Sequence, residues 1–294
     1  MSEILAKQNL DVNLNLLAAQ RYINTDIKLK RSIVRIFSLA IFLISFSVLY
    51  NLINADDTYA VYRELFCFFV AIISFFLLMK GDDSQILAAT FQQKFDCNLF
   101  GLNFDLSNKD EVKVSEFAHK YNTKIGNLER IEGWYTSAIG DKAFPEDIFS
   151  CQKQNLMWTK ELKRSYVFFL IILNLFILIA SIIVSLSFWS ESNYSSYKKL
   201  YEIIIFYLCY ISAFLAPLIK HVLDLYKIKK SIFLYCEIHD LFRFSQARKL
   251  NMALIEKIQN HIFDYRKSNL SVPDYFADGR KFILEAKSKL WVKN

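Results

Sequence analysis

YVFFLIILNLFILIASIIVSLSFW, residues 166–189, contains no charged residue, and only Asn174 and scattered serines interrupt its apolar run. An α-helix rises about 1.5 Å per residue and needs roughly 20 residues to cross a ~30 Å hydrocarbon core, so this stretch alone is long enough to span a bilayer. It closes on Phe188 and Trp189, aromatic side chains of the kind that settle at the lipid–water boundary. Three more runs resemble it, at 36–53, 65–79 and 203–219. The second reaches spanning length when extended back to 60–79, with Arg63 and Glu64 snorkelling toward the head-groups. The 54% hydrophobic content is therefore gathered into four blocks instead of being spread over a soluble core. The first block begins only at residue 36, after a charged segment with Asp11, Arg21, Asp26, Lys28 and Lys30, which is not the pattern of a cleaved signal peptide.

Lysine and arginine set the orientation, because cytoplasmic segments carry the positive excess. Arg63, Lys198 and Lys199 lie in or beside the two short connectors, and the remaining 33 of the 36 basic residues fall on the other side. That side is read as the cytoplasm, with both termini in it. The net charge of +7 follows from this bias and from anionic lipid, with no DNA or RNA partner needed to explain it. Of the five cysteines, Cys67 and Cys209 fall inside apolar runs, and Cys97, Cys151 and Cys236 face the reducing side, so no disulfide framework is expected.

The predicted fold class is an all-α membrane protein: two transmembrane helical hairpins with a mainly helical cytoplasmic domain built from three segments. The segments are 1–35 (N-terminal), 36–79 (first hairpin, helices 36–53 and 60–79), 80–165 (cytoplasmic insertion), 166–219 (second hairpin, helices 166–189 and 203–219) and 220–294 (C-terminal helical segment). Connectors 54–59 and 190–202 are short enough for tight hairpins. Three prolines and six glycines in the whole chain favour long helices in the polar segments. In the tail, Met252, Ile255, Ile258, Ile262 and Phe263 recur at near-helical spacing up to Ser268 and Asn269. Residues 91–104 fit a short strand or an irregular turn through Gly101 equally well.

Catalytic and metal patterns are absent from the sequence. There is no phosphate-cradling glycine loop, no paired cysteines at metal spacing and no H-E-x-x-H, and His119, His221, His239 and His261 share no motif. The chain is read as a non-enzyme without cofactor or metal. In the third apolar run Asn174, Ser181 and Ser185 lie at i, i+7 and i+11, on one helical face. Such a stripe either lines a water-filled path or packs helix against helix. No carboxylate or lysine stands at mid-depth in the four runs, which disfavours a proton-coupled pump.

One pattern in the insertion is specific: Trp134-Tyr135, then Pro145, Cys151-Gln152-Lys153-Gln154-Asn155, Trp158, and Leu162-Lys163-Arg164-Ser165-Tyr166 leading into the third run. Gln8-Asn9, Leu17 to Arg21, Phe95-Asp96-Cys97, Phe100-Gly101-Leu102 and Val272-Pro273-Asp274-Tyr275-Phe276 agree with it. Together they resemble the SMODS-associating four-transmembrane effector family over nearly the whole chain. Phe104 and Thr159 depart from it, standing where tryptophan and an acidic residue are common. The resemblance implies a pore-forming effector of anti-phage (CBASS) signalling, in which a partner nucleotidyltransferase makes a cyclic oligonucleotide. The cytoplasmic part would sense that ligand and the membrane part would breach the inner membrane as a homo-oligomer. Flat bases and phosphates call for aromatic platforms beside cations and amides. Trp134, Tyr135 and Trp158 are the candidates for stacking, and Arg21, Gln152, Asn155, Lys160 and Arg164 for phosphates or base edges. Packing of those aromatics within the domain, and contact of the basic residues with lipid, is the alternative. A membrane-anchored scaffold and a constitutive channel are the rival functions.

Overall fold

With so few helix breakers, every regular element among the described residues is helical. The structure is a computed structural model and describes residues 3–49, 60–79, 83–126, 131–191, 196–243 and 248–293. Its elements are α1 (Glu3–Lys7), α2 (Asp11–Leu49), α3 (Ala60–Met79), α4 (Asp83–Phe100), α5 (Asn108–Lys124), a 3-10 turn (Ser137–Asp141), α6 (Glu146–Glu191), α7 (Ser196–Tyr210), a π turn (Ile211–Leu215), α8 (Ala216–Arg243), α9 (Arg248–Ser268) and α10 (Asp274–Lys293). The expected connector 54–59, residues 192–195 of the second connector and the side chains of Arg63 and Glu64 lie outside what is described.

Three of the expected helices are parts of longer ones, the one expected at 203–219 lying within the unbroken helical path 196–243. The run expected to start at 36 continues a helix that begins at Asp11, and the one expected at 166 continues a helix that begins at Glu146. No glycine or proline lies within 11–49 or 146–191, and nothing else in an α-helix obliges it to end where its side chains turn apolar. Residues 91–104, open between strand and turn on sequence, divide cleanly. α4 runs to Phe100, Gly101 adopts φ +68°, and the Leu102 amide donates to Cys97 O (3.0 Å) in a Schellman close. No atom crowds a Cβ at Gly101, so it is the left-handed backbone that calls for glycine.

The chain divides into two compact units. Unit 1 comprises 1–28, 81–165 and 223–294, and its core is built where α4 lies against α9. Phe91, Phe95 and Leu99 of α4 meet Ile255, Ile258 and Ile262 of α9, the tail positions whose spacing signals a helix. Leu14, Leu17 and Ala18 of α2 and Phe149 and Leu156 of α6 complete it. Unit 2 comprises 29–80 and 166–222. Its core centres on Phe42, stacked on Phe206 (5.3 Å between ring centres) and edge-on to Phe214 (5.0 Å), with Cys67 and Ala71 of α3 nearby.

Among the described residues two helices are long and apolar enough to cross a membrane, within 146–190 and 199–242, and Leu65–Leu77 of α3 is a shorter apolar helix. The π turn inside the second of these precedes Pro217. Proline has no amide to donate, and its ring would crowd the carbonyl of Ala213; widening the turn, with the Ala216 amide donating to Ile211 O, relieves both problems.

Candidate functional site

In unit 1 the segment around Trp134 carries almost no regular structure, and its position is set by side-chain amides. The Gly133 amide donates to Asn9 Oδ1 (3.1 Å), that of Tyr135 to Gln8 Oε1 (2.8 Å) and that of Thr136 to Gln154 Oε1 (3.2 Å). Gly133 makes the bend at φ +64°. Trp134 and Tyr135 differ in depth, although both rings pack on Phe95. Trp134 stays half-buried, edge-on to Phe95, with the exposed Arg21 guanidinium 5.7 Å from its ring centre. This is a cation–π pair at the edge of the domain.

Tyr135 instead goes inward, stacks on Phe95 and joins a buried polar network. Its hydroxyl donates to Asp96 Oδ1 (2.7 Å) and accepts from Asn155 Nδ2 (2.7 Å). Asp96 Oδ2 accepts from Arg266 Nη1 (2.7 Å) and from Gln259 Nε2 (3.0 Å). Gln259 Nε2 also reaches Gln93 Oε1 (2.9 Å), and Gln152 Nε2 donates to Ile255 O (2.9 Å) and Gln259 Oε1 (3.3 Å). Asp96 is fully buried and Arg266 is 8% exposed, so this ion pair carries its charge inside the domain. A second such pair, Lys163 with Asp224 (2.6 Å), sits where Asp224 also accepts the Leu270 amide (2.6 Å).

The network explains the protonation of the groups around it. Burial pushes the Cys97 thiol up to about 12, with Asp96 adding to the effect. Burial likewise raises the Tyr135 phenol and the Cys151 thiol well above their ordinary values, Asp96 again contributing. For Arg266, burial works toward a lower value, but the facing carboxylate more than offsets it and the guanidinium is raised. Each of the three acids binds its proton more tightly folded than unfolded. Their stabilisation is thus fully present below the unfolded pKa and is lost as pH climbs toward the folded one. The melting temperature should fall between about pH 9 and pH 12, and Cys97→Ala should flatten that fall. Melting curves across this range test it; an alkaline limb unchanged by the substitution would assign the loss elsewhere.

Of the eight residues singled out for ligand contact, the structure joins Arg21 with Trp134, and Tyr135 with Asn155 and, through Gln259 and Asp96, Gln152. Gln152 and Tyr135 are buried; the Tyr135 hydroxyl and Gln152 Nε2 bond to protein partners, while Gln152 Oε1 is buried without a hydrogen-bond partner among the described residues. Along α6 the remaining three diverge: at about 100° per residue, Trp158 and Arg164 stand roughly 120° apart around the helix, with Lys160 between Arg164 and the buried face. Thr159 accepts from the Tyr265 hydroxyl (3.3 Å), and Phe104 lies edge-on to Phe263 (5.8 Å). Asp96, Arg266, Gln259 and Gln93 form a group that no sequence motif marks. The signal for Asp96 was a carboxylate between Phe95 and Cys97 on an apolar helix; its partner 170 positions away had no local signal.

Unit 2 is arranged the other way round. Phe168, Leu175, Phe176, Ile179, Ile183 and Leu186 of α6 face outward, as do Phe37 of α2 and Phe69 and Phe76 of α3, while Ser38, Ser45, Ser74, Asn174, Ser181, Ser185 and Ser212 are buried. The Asn174 amide donates to Leu170 O (2.8 Å) and its Oδ1 accepts from the Tyr210 hydroxyl (3.3 Å); the Ser185 hydroxyl donates to Ser181 O (2.9 Å). The stripe read from the sequence therefore lies on the inward face of the unit. The hydroxyls of Ser181 and of Ser212, inside the π turn, are buried without a hydrogen-bond partner among the described residues.

A family model described as the SMODS-associating 4TM effector domain matches residues 2–281 of the chain. Among characterised sequences, the chain is similar to a probable CBASS effector molecule of Bacillus cereus (strain VD146), 28% identical over 193 residues. The alignment covers 60% of this chain and 62% of the relative, so the match spans less than two thirds of that protein. No solved structure matches the chain.

Proposed function

Because the chain belongs to the SMODS-associating 4TM effector domain family, we propose that it is a membrane effector that senses a cyclic oligonucleotide on the cytoplasmic side and permeabilises the bacterial inner membrane, halting phage spread by sacrificing the cell. The name of the Bacillus cereus relative supports a CBASS setting, in which a partner nucleotidyltransferase supplies the ligand. The observation that carries the membrane half is the inverted polarity of unit 2, apolar outside and hydroxyl-bearing inside, which suits a lipid solvent and no aqueous one. In this reading the apolar parts of α2, α3, α6 and the α7–α8 path are four spans, unit 1 is cytoplasmic, and both termini lie with it.

Arg21 and Trp134 form the accessible part of the ligand surface, with Trp158, Lys160 and Arg164 on outer faces of α6. Tyr135, Gln152 and Asn155 act through the network that holds the Trp134 segment in place. Ligand contact at Arg21 bears on α2, and contact along α6 bears on α6; each is one helix with residues in both units, so a tilt or rotation set in the first is passed on covalently. The π turn supplies a second degree of freedom. Resolving it to α-geometry shifts the register by one residue and turns the preceding helix by about 100°. That turn would carry Tyr210 off Asn174 and expose the inner face to a lumen between protomers.

Purified protein in liposomes should release a small dye when one member of a panel of cyclic di- and trinucleotides is added, and should hold it otherwise. Arg21→Glu should raise the nucleotide concentration for half-maximal release at least tenfold, about 1.4 kcal/mol, without changing insertion. Binding without release would favour the scaffold reading, and release without nucleotide a constitutive channel.

A further inference from the structure

The last helix of unit 1 exposes what a soluble-facing helix ordinarily hides. Tyr275 is 71% exposed, Phe282 83% and Leu290 58%, and Ile283 lies beside them. Leu284, Ser288 and Val292 hold the opposite side of α10 in the domain. At 100° per residue these apolar residues, with Gly279 and Ala286, fall within one stripe about 100° wide, turned away from the domain. Gly279 has nothing within 4 Å of a would-be Cβ, so the backbone there is open to close approach.

We infer that this stripe is the surface through which two copies of the chain pair, α10 against α10 and parallel; the inference deepens the assembly step of the proposed function. Three features choose a second copy over lipid. Small residues seven apart, Gly279 and Ala286, let two helices come close, whereas a lipid surface gains nothing from them. The borders of the stripe differ in charge. Asp278 and Glu285 lie along one edge with Lys289 at its end, and Arg280 and Lys287 along the other, where Lys287 is also held by Glu161 (2.6 Å). A lipid-binding helix would be basic on both edges. A parallel two-fold pair sets the acidic edge of each helix against the basic edge of its mate, while an antiparallel pair sets like against like. Aromatic side chains offer roughly 150–250 Å² each, so the patch provides about 400–500 Å² per copy, near half the ~800 Å² of a stable complex. The contact is thus too small to dimerise the chain in dilute solution and large enough to act once protomers are concentrated in a membrane, as a switchable assembly requires.

Ala286 lies near the middle of the stripe, and in a parallel pair it meets its own counterpart. With Cys236→Ser removing the exposed thiol, Ala286→Cys in the full chain in liposomes should oxidise to a covalent dimer in more than half of the molecules. Lys281→Cys, on the far side, should do so in less than a tenth. Phe282→Asp should shift the detergent-solubilised protein to smaller assemblies by mass photometry. Absence of the 286 cross-link together with unchanged assembly size in Phe282→Asp overturns the inference. So does added fluorescence quenching by brominated lipid in Phe282→Trp without cross-linking at 286, which would assign the stripe to lipid. Nucleotide-triggered leakage without the cross-link would leave the effector function standing and this surface wrong. The cross-link without any nucleotide response would do the reverse.

Discussion

Arg266→Ala is expected to cost the protein about 3–5 kcal/mol, the usual consequence of removing one partner from a buried ion pair. Asp96 is fully buried, and its Oδ2 would keep only Gln259 of its two donors. A carboxylate left with its charge uncompensated in the core must bind a proton or draw in water, and both disrupt the packing of α4 on α9. Domains are stable by about 5–15 kcal/mol in total, so the change removes a large share. Denaturant titration in detergent should show the midpoint falling sharply, with Asp96→Asn milder because it keeps the shape and part of the bonding. The exposed pair Lys28–Asp274 is the control: Lys28→Ala should cost no more than about 1 kcal/mol. If Arg266→Ala melts like the native chain, the network is ornamental. Tyr135, Gln152 and Asn155 would then be free to serve the ligand directly.

Much of the architecture is legible in the sequence because it rests on periodicity and on the scarcity of breakers. The tail helix around Ile255, Ile258 and Ile262 is a direct reading of spacing, and the all-helical character follows from having so few glycines and prolines. Helix ends are harder. The start of an apolar run marks a change of solvent and not a change of backbone, which is why helices expected at 36 and 166 begin at Asp11 and Glu146. Residue type alone also does not tell which of the candidate side chains are buried. Trp134 and Tyr135 look equivalent as aromatics, yet Trp134 stays half-buried beside Arg21 while Tyr135 lies in the core, and the side-chain amides of Gln8 and Gln154 hold the segment that way. Gln152 and Asn155 point inward because they share a helical face with the buried Lys163. Arg266 has no local cue at all; only the folded chain brings it to Asp96.

Asn174, Ser181 and Ser185 lie on one face, and that face is turned inward, so leucine and alanine substitutions have different consequences there. Leucine at all three sites adds volume to a filled interior, and overpacking costs about 1–3 kcal/mol per site, so loss of activity in that variant would not separate a conducting wall from a packing seam. Alanine at all three removes the polar atoms with little strain. Ser185 gives up only a bond to its own helix, Ser181 gives up none that is described, and Asn174 gives up the contact with Tyr210. If the stripe becomes the wall of a water-filled path when protomers assemble, an apolar wall dewets and closes it. The triple alanine variant is therefore expected to insert and assemble like the native chain, to bind the nucleotide with unchanged affinity, and to lose at least tenfold in the rate of nucleotide-triggered dye release. Leakage at the native rate from the alanine variant, with the leucine variant unstable, would make the stripe a packing seam and move the path to another face of the bundle. The two variants together separate water from packing because hydroxyl and volume change independently between them.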